Sequence, residues 1–233
     1  MKAILTLIVT VAFVLSPLLS GPFSGFRPDQ LPIAQINPPV EPEGYAFAIW
    51  GLIYVWLLVS ACYGLAKRRD DPAWDRVRPG LILSIAVGAT WIPIAQTDAV
   101  AATFLIFVML IAALVALYRC PKTDRAWLQI PVALYAGWLT AAACVSLGTI
   151  GAGYGLFFGQ TGWAVIGIFI ALNIGLLVLT TRVQAPEYAI ALVWALIGIV
   201  VANQFMNPVV SILSVLGIML VSIKAIGNLR TES

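Results

Sequence analysis

The sequence predicts an all-α protein, a polytopic bundle of about eight membrane-spanning helices, and three observations carry that prediction. The 233 residues are 61% hydrophobic and only 10% charged, against roughly 25% charged in an ordinary soluble domain. Apolar runs recur along the chain at lengths near the roughly 20 residues that cross a hydrocarbon core of about 30 Å. Lys and Arg gather between alternate pairs of runs, as loop cations do when they set orientation.

The first run, 3–20, follows Met1-Lys2 and is read as an anchor. Ser16-Pro17-Leu18-Leu19-Ser20-Gly21 also resembles the end of a cleaved secretory signal, but Leu18 stands where cleavage wants a small residue. Residues 21–44 carry six prolines and no long apolar run, which predicts an extended, polyproline-like segment serving as a lid or as a passive linker. A second run follows at 45–66, then a basic loop at 67–78. The next two runs, 79–97 and 99–118, are parted only by Gln96-Thr97-Asp98. Reading that junction as a kink gives seven spans but buries Asp98 at high cost, so a tight turn is favoured. A second basic loop, 119–126, leads to runs at 127–149, 161–181, 187–203 and 207–224. Gly148, Gly151, Gly153 and Gly155 lack the strand-to-helix setting of a phosphate loop and are read as a flexible turn.

Of the 13 Lys and Arg, all but Arg27 fall on one side of this arrangement. That side is expected to be cytoplasmic, which puts both termini inside, loop 21–44 outside, and the protein in the cell inner membrane. Topology then accounts for the net charge of +3, and the bilayer rather than nucleic acid is the expected partner. A homodimer is left open. No Asp, Glu, Lys or Arg falls in the core of any run, which argues against proton relays, ion coupling and retinal attachment. The chain has no histidine and three unclustered cysteines, Cys62, Cys120 and Cys144. It therefore offers no imidazole metal site, no CxxC pair and no extracellular disulfide setting. No nucleophile, base and positioning group converge, so neither an enzyme nor a resident cofactor is expected.

What remains is aromatic. In the second run Phe47, Trp50 and Tyr54 stand at i, i+3 and i+7 and share one helical stripe. Trp91 in the third run and Tyr135 and Trp138 in the fifth are placed to meet them in the outer half of the membrane. Anchoring at the lipid interface accounts for Trp74, Trp127 and Trp163, but not for Trp138 or Trp194 at mid-depth. Asn173 in the sixth run is read as a hydrogen bond to a neighbouring helix, with ligand contact as the alternative.

Pro38-Pro39 ahead of Trp50-x-x-x-Tyr54, then Trp91-Ile92-Pro93-Ile94, then Trp138-Leu139-x-x-Ala142, resemble the tryptophan-rich sensory protein family, also called translocator proteins. The likeness covers roughly 1–149. It implies a five-helix core there, with 150–233 as an additional three-helix segment packed on it. It also implies a pocket for flat hydrophobic ligands, such as tetrapyrroles or lipid-like molecules, under the loop joining the first two helices. Trp50, Tyr54, Trp91 and Trp138 would line that pocket, with Pro38 and Pro39 shaping the lid and Phe47 and Tyr135 beside them. A sensory or regulatory role follows from the resemblance, with a facilitative transporter or a membrane scaffold as alternatives. The pattern is broken at three positions. The family's aromatic one turn before Trp50 is Ala46, its Asn one turn before Trp91 is Gly88, and its Asn on the fifth helix is Ser146.

Overall fold

A computed structural model describes residues 1–21, 23–182 and 184–230. Among the described residues there are eight helices long and apolar enough to cross a membrane, and no strand. They are α1 (Lys2–Ser20), α2 (Ile49–Lys67), α3 (Pro72–Ala95), α4 (Ala99–Arg119), α5 (Ile130–Gly153), α6 (Gln160–Thr181), α7 (Pro186–Asn203) and α8 (Pro208–Arg230). A 3₁₀ turn, Gly44–Ala48, leads into α2, and a π turn, Arg125–Gln129, leads into α5.

Helix ends show where local chemistry moved the expected boundaries. α3 begins at Pro72, well before the apolar run, because the Asp71 carboxylate accepts from the Ala73 amide at 2.8 Å and Pro72 suits the first turn. Much of the expected basic loop 67–78 is therefore helix. Arg78 is buried there and donates to the carbonyls of Gly64, Arg68 and Arg69, satisfying acceptors that the end of α2 leaves open. Asp98 lies in a tight turn, where its carboxylate caps α4 through the Ala101 amide at 2.9 Å, so α3 and α4 are separate spans. The expected glycine-rich turn is also mostly helix, since α5 runs on through Gly148, Gly151 and Gly153. Those glycines admit neighbours: a Cβ at Gly151 would lie 2.3 Å from the Trp163 ring. Only Gly155, at φ +64°, belongs to the turn.

α5 is the central helix. It packs on α4 on one side and on α6 and α7 on the other, with α8 against α6 and α7, while α3 sits between α1 and α4. Burial consequently surrounds α5 along most of its length. Ion pairs gather at the end of the bundle where odd-numbered helices begin, including Lys2–Asp75, Arg68–Asp124 and Arg125–Glu187. At the other end, loop 21–44 lies over the bundle. Gln30 Nε2 donates to the Ala95 carbonyl at 2.9 Å, the Ile33 amide to Gly153 at 2.8 Å and the Glu43 amide to Gly198 at 3.0 Å. Asn203 Nδ2 donates to the Pro39 carbonyl at 2.8 Å. Leu31, Gln35, Pro38 and Val40 are buried beneath it.

Candidate ligand pocket

Under that loop, α2, α3 and α5 bring the expected aromatics together, and the structure sorts them into two layers. Phe47, Trp50, Trp91 and Trp138 line a cavity that Gln35, Pro38, Glu41 and Pro42 of the loop roof over. Trp138 is the pivot, edge-on to Phe47 at 6.0 Å and to Trp50 at 6.2 Å between ring centroids. Tyr54 and Tyr135 do not line the cavity and instead pack behind Trp50. Tyr54 stacks on Trp50 at 5.4 Å, while Tyr135 is fully buried with its hydroxyl 2.9 Å from Ser84 Oγ. Pro39 likewise sits outside the cavity, in an adjoining surface groove.

Two of the three departures from the family pattern have steric causes. Phe13 of α1 meets Trp50, Tyr54 and Tyr135 edge-on, closest to Tyr54 at 4.9 Å. A Cβ at Gly88 would lie 2.6 Å from the Phe13 ring and 2.9 Å from Met109 Cε. Phe13 thus occupies the space an Asn side chain would need. Ala46 is fully buried, and a Cβ on Gly198 of α7 would reach its own Cβ at 2.9 Å. Its carbonyl accepts from Trp194 Nε1 at 2.9 Å, so α7 holds the place where the aromatic is missing. Ser146, the third departure, lines the cavity.

The polar groups of the cavity were not found from sequence. Trp91 Nε1 donates to the Ala102 carbonyl at 2.8 Å, but among the described residues no group accepts from Trp138 Nε1, although Trp138 is only 2% exposed. Gln35 is 5% exposed, and its Oε1 likewise has no protein donor. Burial pushes the Glu41 carboxyl up to about 7. Phe13 did leave a signal, because it shares the buried face of α1 with Ala3, Thr6, Thr10 and Ser16, small and polar residues at helical spacing. For Gln35 and Glu41 no periodic pattern exists in a proline-rich loop.

The cavity as it stands encloses about 50 Å³, room for a few water molecules. A mostly apolar groove of about 650 Å³ between α2, α7 and α8 opens sideways, a shape that lipid tails fill in a bilayer. Asn173 contacts neither space. It is exposed and donates to the Phe169 carbonyl of its own helix at 2.8 Å, rather than to a neighbouring helix.

These features define an eight-helix membrane protein with an aromatic cavity roofed by a proline-rich loop. The family model described as TSPO-like protein matches residues 3–227, and the chain belongs to that family. The match continues through α6, α7 and α8, beyond the stretch that carries the tryptophan motifs. No curated protein and no solved structure gave a match.

Proposed function

We propose that this protein binds a flat hydrophobic molecule between Trp50, Trp91, Trp138 and Phe47, and that loop 21–44 is the lid through which binding acts as a sensory or regulatory signal. One observation carries the reading: Trp138 is buried at the centre of the bundle, at a cavity wall, with an indole N–H that finds no acceptor among the described residues. Interface anchoring does not account for a tryptophan in that position. Ring stacking and apolar burial would supply most of the affinity. Because the closed cavity is small, a molecule of two or three fused rings requires a modest lift of the lid and a tetrapyrrole a larger one. The cation-rich end would face the cytoplasm and the lid the outer side of the inner membrane. The facilitative-transport reading loses its proposed polar contact with Asn173 turned outward, and no catalytic step is proposed.

Titrating acridine, and separately protoporphyrin IX, into protein held in phosphatidylcholine nanodiscs tests this through quenching of tryptophan fluorescence. Trp50→Ala and Trp138→Phe should each weaken binding by about tenfold. Unchanged affinity for both probes in both variants would remove the pocket.

A further inference from the structure

We infer that the ligand of this cavity is an aromatic cation, a flat ring system carrying a protonated nitrogen that the Glu41 carboxylate receives. The inference rests on the ligand-binding reading above and narrows its chemistry. Glu41 sits where the cavity meets a surface groove of about 410 Å³, and Pro38, Glu41, Pro42 and Phe47 belong to the walls of both. This is the mouth of the pocket. Among the described residues no Lys, Arg or Tyr lines either space, and Glu43 is the second ionisable group there. Arg27, the nearest cation along the chain, is paired with Asp29 at 3.0 Å.

The fold also makes room for this carboxylate. Gly25 has φ +114°, and a Cβ there would lie 2.0 Å from Glu41 Oε1. A glycine backbone thus forms a cradle that any side chain would fill. Among the described residues no hydrogen bond or ion pair reaches the Glu41 side chain, which is half-buried. Partial burial makes the ionised carboxylate costlier than in water, which is the cause of its raised proton affinity, and a countercharge offsets that cost. A protonated ring nitrogen supplies the countercharge, while the faces of Trp50 and Phe47 favour the same cation. Gln35 Oε1 in the roof and Trp138 Nε1 in the wall are an acceptor and a donor without a partner among the described residues, and both residues are more than nine-tenths buried. They are groups that a ligand with its own polar edge satisfies. A carboxylate-bearing ligand would instead bring like charge to Glu41 and Glu43.

Three isosteric probes separate the charges: 9-aminoacridine, cationic at neutral pH; acridine, neutral; and acridine-9-carboxylate, anionic. With protein in phosphatidylcholine nanodiscs and empty nanodiscs as the control, 9-aminoacridine should bind about ten- to a hundredfold more tightly than acridine, with the carboxylate weakest. Glu41→Gln should bring 9-aminoacridine down toward the level that acridine shows in the same variant, closing the gap between the two probes. A Glu41 proton must leave before the cation is received. Wild-type affinity for 9-aminoacridine should therefore rise between about pH 6 and 8, while that of the Gln variant stays flat. Equal affinity for acridine and 9-aminoacridine, or a preference for the carboxylate, would overturn the inference while a Trp50-dependent acridine signal kept the pocket. Failure of all three probes to bind would remove pocket and inference together.

Discussion

Trp91 and Trp138 are two tryptophans in one cavity wall, and replacing each by Phe should have different costs. Both are buried, at 7% and 2% exposure, and the substitution deletes the same atoms. The transfer and cavity contributions therefore nearly cancel between the two variants. Hydrogen bonding does not cancel. Trp91→Phe breaks the 2.8 Å bond to the Ala102 carbonyl, worth about 1 kcal/mol net. Trp138→Phe breaks no bond within the protein, and removing a buried donor that lacks a protein acceptor recovers up to about 1–3 kcal/mol. Trp91→Phe should therefore be less stable than Trp138→Phe by about 1–4 kcal/mol. Unfolding in mixed detergent micelles, followed by far-ultraviolet circular dichroism so that the lost indole does not affect the signal, measures the difference. Acridine binding should fall in Trp138→Phe although its stability is kept. Equal unfolding costs, or a larger cost for Trp138→Phe, would show that the Trp138 N–H is already satisfied without ligand and would refute the reasoning.

Further outcomes follow from other contacts. Gly88→Ala should destabilise by about 1–3 kcal/mol through overpacking against Phe13 and Met109, outweighing the roughly 1 kcal/mol helical gain over Gly. Adding Phe13→Leu should recover part of that loss, so that the double variant is less than additive in the same unfolding assay. The hydrogen bond from Arg68, at 2.6 Å and supported by Trp74 Nε1, holds the Asp124 carboxyl below the usual carboxylate range. Its stabilisation is present above the unfolded carboxylate range and lost as pH falls below about 4. Unfolding midpoints measured between about pH 3 and 6 should accordingly vary less in Asp124→Asn than in the wild type. Trp194→Phe should remove the bond to the Ala46 carbonyl, lowering stability by about 1 kcal/mol and speeding amide exchange at residues 43–47.

The spans were legible because hydropathy and the side on which cations fall are properties of single segments. Asp98 is an example, since a charge that is costly in hydrocarbon marks a turn wherever it stands. Helix ends were less legible where local capping continues a helix past its apolar run. The Asp71-Pro72 pair starts α3 within what hydropathy alone read as a basic loop. Gly148, Gly151 and Gly153 misled for a related reason. Glycine signals flexibility in isolation, but these glycines admit Val40, Trp163 and Leu31 from other parts of the chain, and no single segment announces that.

The pocket was half legible, and the missing half explains the departures from the family pattern. Tryptophan motifs at matching places in the helix order pointed to Trp50, Trp91 and Trp138, because such residues are read one helix at a time. What replaces the absent Asn and the absent aromatic is spread over distant segments. Phe13 of α1 takes the volume in front of Gly88, and α7 takes the hydrogen bond and the packing at Ala46. α7 therefore acts on the site as well as packing on α5. By holding Ala46 and Glu43 through Trp194 and Gly198, α7 fixes the strand of lid on which Glu41 is carried. With the space in front of Gly88 filled by Phe13, a polar group that stands at the mouth of the cavity is the Glu41 carboxylate.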